Sequence, residues 1–449
     1  MMPWRRCGAL AAASAVISLS AVVVVHPPAV AEDGDYDCRT LSKENREGEP
    51  PRGPSSPIAD LDIAQAQDLV REMTARAPGA GVKVAVVDSG VSKAAPINRP
   101  ATGAEVVLGS EFVGYRSGVR FYHGTAMAGV IAGQPVEAGG VGEVGIAPGA
   151  EIVDVHVYDL PSDTDEDTKD IGLTQAGLIA GLAAIEDQVG DGPNQVRIVN
   201  ISLTGSAHDP ALERAIRAIT SKGAIVVTSA GNRYLSDDQT VEPFEPGEDL
   251  AGKFFPAAYA HDGPDWKAND RIVVAGSTIP PDLYDPDDPL VALSSDIDVV
   301  VPTADVVTFG QTGEPCRLYE PNTSIAAAEV SGILALLVAA FPDAGPDELI
   351  KRLEVTAAGE TSGDPRSPER FQGKGVVQPV EALTRASIKG APPGARRRPA
   401  VEPAIIPEPE PDLLAGTRGD AVWWGLAGGG ALVVALILRP VLARRRRES

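Results

Sequence analysis

The feature that most constrains this chain is an alternation. Short β-branched apolar runs at Val82–Val87, Glu151–Val157, Arg197–Leu203, Ala224–Thr228 and Arg271–Ala275 are separated by alanine-rich stretches at Thr125–Ala132, Gln175–Gln188 and Pro210–Lys222. Runs of that length dominated by β-branched apolar residues suit strands buried on both faces, and the intervening stretches carry helical spacing. Strand–helix–strand repetition predicts an α/β domain with a mainly parallel central sheet and helices on both faces. In such sheets function gathers at the carboxyl ends of the strands, so side chains just after each run are the ones to read for chemistry.

The termini predict a topology. Arg5 and Arg6, an apolar run from Ala9 to Val25, and Ala29-Val30-Ala31 before an acidic stretch read as a signal peptide over residues 1–31. At the other end, residues 421–443 are apolar and small but for Arg439, and residues 444–449 carry Arg444–Arg447. A spanning helix needs roughly 17–25 such residues. Arginines beyond it place the tail in the cytoplasm and the rest of the chain outside. Residues 386–420 are proline-rich and read as a semi-rigid linker. The expected organisation is therefore an N-terminal extension at 32–59, a folded domain at 60–385, the linker and one C-terminal transmembrane helix. Residues 43–57, polar and proline-rich, are expected to be extended rather than packed.

The formal net charge of −23 argues against nucleic acid as a partner, because binding its phosphates requires cationic groups. With the signal removed, Cys38 and Cys316 remain, and in an oxidising compartment two cysteines predict one disulfide.

Three segments concentrate chemistry. Asp88 ends the first run, VAVVDSG; His123 opens HGTAMAGVIAG; Ser324 lies in NTSIAAAEVSG at the start of a helix running to Phe341. A serine hydroxyl is a poor nucleophile until an adjacent imidazole accepts its proton, and a helix N-terminus adds unpaired N–H groups beside it. In the order Asp, His, Ser, these segments resemble the subtilisin-like serine proteases, or subtilases. Asn200-Ile201-Ser202-Leu203 and Ser229-Ala230-Gly231-Asn232 resemble the family in the same succession, and the likeness runs over roughly residues 60 to 385.

The resemblance implies a serine endopeptidase with Asp88, His123 and Ser324 as catalytic triad and Asn232 as an oxyanion donor beside the Ser324 N–H. It implies that an extended peptide lies between two backbone rails, Ser202-Leu203-Thr204 and Ser229-Ala230-Gly231. Thr204 and Asn322 stand where the family has glycine, and Ala328 where it has proline. Asparagine tolerates left-handed backbone, so the turn at Asn322 is expected to survive. Residues 32–59 are too few for an independent core, which suggests that Cys38 pins them to Cys316 as a permanent clasp.

The whole architecture is similar to that of the mycosins, membrane-anchored subtilases of type VII secretion systems. That likeness implies processing of secreted polypeptides and association with a secretion membrane complex. Two alternatives stay open: a general extracytoplasmic subtilase, and a largely structural component with weak activity. No cofactor or metal is expected. The acidic run Asp163–Asp167 lacks the glycine and distal glutamate of a calcium loop and reads as solvated.

Overall fold

The computed structural model describes residues 34–101, 103, 105–107, 118–160, 172–232, 248–278, 291–359, 371–386 and 429. The expected signal peptide, linker, cytoplasmic tail, acidic run at 163–167 and, apart from Gly429, the expected membrane span lie outside them. The chain divides into two compact units, Met1–Pro393 and Gly394–Ser449, and everything described below belongs to the first.

In chain order the elements are α1 (Ser56–Asp60), α2 (Ile63–Thr74), β1 (Lys83–Asp88), β2 (Glu105–Val107), α3 (His123–Ala132), β3 (Glu151–His156), α4 (Gln175–Ile185), β4 (Val196–Ile201), α5 (Pro210–Ser221), β5 (Ile225–Ser229), β6 (Ile272–Thr278), β7 (Val299–Pro302), β8 (Val306–Phe309), β9 (Pro315–Leu318), α6 (Thr323–Ala340), α7 (Pro346–Thr356) and α8 (Pro379–Thr384). Strands β1 to β7 form one parallel sheet in the order β2-β3-β1-β4-β5-β6-β7. From β1 the chain runs to β2 at the edge, returns through β3 and crosses to β4 on the other side of β1, so the switch point lies between β1 and β4.

Alternation along each strand builds a core on both sheet faces. Val84 and Val86 of β1, Ile225 and Val227 of β5, and Val273 of β6 join α2, α3 and α6 in one core. Ala85, Val87, Val226, Ile272 and Val274 join α4 and α5 in the other. Helix α5 shows the local logic: the Asp209 side chain accepts from Ala211 N–H at 2.7 Å. Pro210 fits the first turn, and Leu212, Ile216 and Ile219 bury one stripe. Helix α6 is different, being buried from Thr323 to Val338 on every side. It is the one described helix long and apolar enough to cross a membrane, but 89% of it lies inside the domain, so it is a core helix.

Residues 43–50 are exposed or half-buried and form no helix or strand, as expected of an extended segment, whereas the end of the stretch is partly packed. Pro51, Ser55 and Pro57 are buried, and α1 begins at Ser56, ahead of the expected boundary at 60. Cys38 and Leu41 enter the core shared with α6. Proline-rich composition describes what the chain cannot form, a regular element, but not whether another surface will cover it.

The Cys38–Cys316 disulfide is formed, with the Cα atoms 5.0 Å apart. Beside it the extension adds a rung to β9: Arg317 N–H donates to Tyr36 O at 2.8 Å and Cys38 N–H to Arg317 O at 3.2 Å. The buried Arg317 guanidinium donates to Asp35 (2.9 Å), Asp305 (2.6 Å) and the Arg52 carbonyl (2.7 Å). Three acceptors satisfy a charge that would otherwise be costly to bury.

One buried group is not satisfied in this way. Glu329, on α6, is 1% exposed and its Oε2 has no hydrogen-bond partner among the described residues. Burial, with a lesser contribution from the Asp60 charge, raises its carboxyl well above the ordinary value of 4.5.

Two outcomes follow from these features. Reduction, or Cys38→Ala, costs about 2–5 kcal/mol, as removal of a disulfide closing a long loop does, read as a fall in unfolding midpoint with and without reductant. The native state holds the Glu329 proton more tightly than the unfolded chain, so stability falls as pH rises from the ordinary value of 4.5 toward the raised native one. Glu329→Gln flattens that slope, by up to about 1.4 kcal/mol per pH unit, in a series of denaturant titrations; an unchanged slope would refute the assignment.

Candidate active site

β1 ends on Asp88, which is 0% exposed. Its carboxylate receives three donors: the Ser89 N–H at 2.7 Å, the Tyr158 hydroxyl at 3.3 Å, and the His123 ring through Nδ1, 2.9 Å from both oxygens. With Nδ1 carrying the proton toward Asp88, Nε2 is left as the basic nitrogen. Burial, then the Asp88 charge, pushes the Tyr158 hydroxyl well above its usual value, which keeps it a donor. His123 is the first residue of α3. Gly124 behind it permits the approach of α3 to β1, since a Cβ there would stand 2.6 Å from the Gly90 carbonyl and 3.1 Å from Asp88 Cβ.

Ser324 sits in the first turn of α6, and side chains tie that turn to the ends of β4 and β5. Ser331 Oγ donates to Asn200 Oδ1 (3.1 Å), Asn200 Nδ2 to Ser202 Oγ (2.9 Å), and Ser202 Oγ to the Ser324 carbonyl (2.9 Å). Thr323 donates to Asn232 Oδ1 from its N–H and its hydroxyl, both at 3.0 Å, and its hydroxyl accepts from Gly231 N–H at 3.2 Å. Parallel pairing of β4 with β5 sets Ile201 against Thr228, so the residues following both strands emerge beside α6.

The sequence-predicted residues thus converge at one end of the sheet, with departures in detail. Ser324 Oγ donates to the Ser202 carbonyl at 3.0 Å, and among the described residues no hydrogen bond joins it to His123. Asn232 Nδ2 points to Asn322 Oδ1 at 3.3 Å. No main-chain group of Leu203 or Thr204 bonds a described residue. The other expected rail differs. Ala230 N–H donates to Ala275 O (3.1 Å), and Gly231 uses its N–H on Thr323 and its carbonyl on Ala292 N–H (3.0 Å). Those groups are occupied inside the protein, which leaves Ala230 and Gly231 as a wall rather than a hydrogen-bonding edge.

Asn322 is extended, at φ −153° and ψ 131°, so no left-handed turn is required of it. Its side chain caps α6, accepting from Ser324 N–H at 2.7 Å. Sequence reasoning weighed Asn322 only for its backbone, and the glycine-to-asparagine departure was the signal for its side chain. Asn200, Ser331 and Tyr158 carried no individual signal, because single hydroxyl and amide groups are common in strands and helices.

A cavity of about 100 Å³ opens beside His123, Asn232 and Asn322, and Arg39 of the extension lines it with Tyr122 and Glu320. Arg39 pairs with Glu320 at 3.0 Å and Asp37 at 2.8 Å. Among the described residues no group of three or more His, Cys, Asp or Glu side chains is arranged to hold a metal ion.

This geometry has relatives. The pattern of the subtilase family matches residues 79–375. Mycosin-1 of Mycobacterium tuberculosis strain H37Rv is 31% identical over 399 residues, 82% of this chain and 82% of its own. The crystal structure of MycP1 from Mycobacterium smegmatis covers 83% of this chain and 95% of that one, with a TM-score of 0.53 at 25% identity. MycP1 from the ESX-1 type VII secretion system has the same fold, with a TM-score of 0.53 at 23% identity over 82% of this chain and 95% of that one. The chain belongs to the subtilase family of serine endopeptidases, and within that family it is mycosin-like.

Proposed function

We infer that Asp88, His123 and Ser324 are the catalytic triad of a membrane-anchored processing protease. The observation that carries this reading is the His123 imidazole, held through Nδ1 on the buried Asp88 carboxylate near a serine at a helix N-terminus. On this reading His123 Nε2 takes the Ser324 hydroxyl proton as Oγ bonds the scissile carbonyl carbon. Negative charge then develops on the carbonyl oxygen, where Asn232 Nδ2 and the Ser324 N–H are its donors. His123 passes the proton to the leaving amine as the C–N bond breaks. Water then attacks the acyl-enzyme, with His123 again the base, and restores Ser324. Tyr158 and Ser89 hold the Asp88 carboxylate in place against His123, where it stabilises the imidazolium formed in each step.

An extended peptide takes its main-chain hydrogen bonds along Ser202, Leu203 and Thr204. Thr204 brings a β-branched side chain to that edge and narrows the neighbouring pocket. The extension stays with the enzyme, since it contributes Arg39 to the cleft wall and is bonded covalently to β9. The signal peptide at 1–31, the linker at 386–420 and the membrane span at 421–443 would hold this domain on the extracytoplasmic face. Likeness to Mycosin-1, and the type VII system from which the MycP1 structure comes, support secreted polypeptides as substrates and a secretion membrane complex as partner.

A serine-directed phosphonate labels the wild-type chain and not Ser324→Ala, read by mass spectrometry of the intact protein; an unlabelled wild type would count against the mechanism. The engagement of Ser324 Oγ by Ser202 favours a second reading, a structural component whose site is little used. In a strain lacking the gene, Ser324→Ala fails to restore secretion if proteolysis is the role, and restores it fully if the chain acts as a scaffold.

A further inference from the structure

The oxyanion site of this chain is already filled, by its own side chain. Asn322 Oδ1 accepts from the Ser324 N–H at 2.7 Å and from Asn232 Nδ2 at 3.3 Å. Those are the two donors that the protease reading assigns to the carbonyl oxygen of a substrate. An amide oxygen that gathers both stands where the oxyanion would stand. The identity of the atom is settled by its partners, since both point an N–H at it and an amide nitrogen there could accept neither.

The nucleophile is withdrawn in the same structure. Ser324 Oγ donates to the Ser202 carbonyl, at the edge where an incoming peptide N–H would bind. The hydroxyl therefore presents its proton to a carbonyl and not to the base, while the donors that would stabilise the product of attack are occupied. Both features reverse when an extended peptide arrives. Its N–H competes for the Ser202 carbonyl, and its scissile carbonyl competes for the pocket that Asn322 fills.

We propose that Asn322 is a self-plug of the oxyanion hole, a positioning residue that holds the protease off until a substrate with enough binding energy displaces it. The plug rests on the protease reading above. It explains why a glycine position carries asparagine at no backbone cost: with φ at −153° the residue is ordinary extended chain, and only its side chain has consequences. It also predicts selectivity. Short or poorly bound peptides do not displace the amide, whereas a long substrate gripped along Ser202–Thr204 does, so remote contacts set the turnover and not only the affinity.

The magnitude is bounded by the two hydrogen bonds. Each biases the closed state by roughly 2- to 13-fold, so together they hold the open, competent fraction to about one part in four to one in 170.

Asn322→Gly removes the plug together with the side-chain cap, since both are the one bond from Ser324 N–H to Asn322 Oδ1, and the unfolding midpoint separates a loss of stability from a gain in reactivity. Asn322→Asp keeps both cap and plug and adds a charge where negative charge must develop. The readout is the second-order rate constant for labelling by a serine-directed phosphonate, with unfolding midpoints taken in parallel. Asn322→Gly should label about 4- to 170-fold faster than wild type, and Asn322→Asp slower than wild type at equal stability. A residue that merely caps the helix gives the opposite pattern: Asp equal to wild type, and Gly equal or slower. That pattern, or equal rates for all three, overturns the plug and leaves the protease reading standing. Labelling of none of the three overturns the protease reading, and the plug with it.

Discussion

Everything at the active end of this molecule depends on the burial of α6. The helix is buried around its whole circumference, mostly through apolar side chains, and packs on β4, β5 and β6 on one side and on α3 and α2 on the other. A helix with no polar face cannot rotate toward water without exposing several large side chains, each worth about 1.5–3 kcal/mol. Its azimuth and height are therefore set, and with them the direction of its first turn. Ser324 inherits that precision. The chain Ser331–Asn200–Ser202 then registers α6 against β4 through short polar contacts inside an otherwise apolar layer. Fully satisfied buried networks of this kind specify one arrangement among several of similar packing energy.

The same dependence explains the position of the extension. Strands β8 and β9 form an antiparallel pair, and β9 leads within a few residues into α6. A two-stranded ribbon is marginal by itself. Here Asp37 pairs beside Arg317, Ser55 Oγ accepts from Val307 N–H at 3.1 Å, and the disulfide joins the two segments. The extension completes an edge that the domain would otherwise leave open, immediately upstream of Ser324.

How much of this the sequence disclosed varies with physical cause. β1, β3, β4, β5 and β6 are legible because strands buried on both faces are rich in β-branched apolar residues, and the structure places them within a residue or two of expectation, β6 running on to Thr278. α5 is legible through its Asp209–Pro210 start and its apolar stripe. β2 is three residues long, Glu105–Val107, too short for periodicity to speak. β8 and β9 owe their pairing to each other and to the extension, so no local pattern announces them. The meeting of Asp88, His123 and Ser324 follows from strand ends and helix starts, which sequence order predicts well. What their side chains do there does not follow. Ser324 Oγ on Ser202, the internal bonds of Gly231 and the cap made by Asn322 are choices among rotamers and partners that only three-dimensional neighbours decide.

The pairing of Cys38 with Cys316 spans 278 residues of sequence. A chain that emerges N-terminus first presents Cys38 at the outset and Cys316 only after every strand of the central sheet has appeared. The knot around Arg317 therefore closes late, when its partners at Asp35 and Arg52 have waited through nearly the whole of emergence. Ser324 follows Cys316 by eight residues, so the proposed nucleophile and the clasp arrive together. On the proposed assignment, activity is in this way tied to completion of the domain: a truncated or stalled chain carries His123 and Asp88, but neither Ser324 nor the staple beside it.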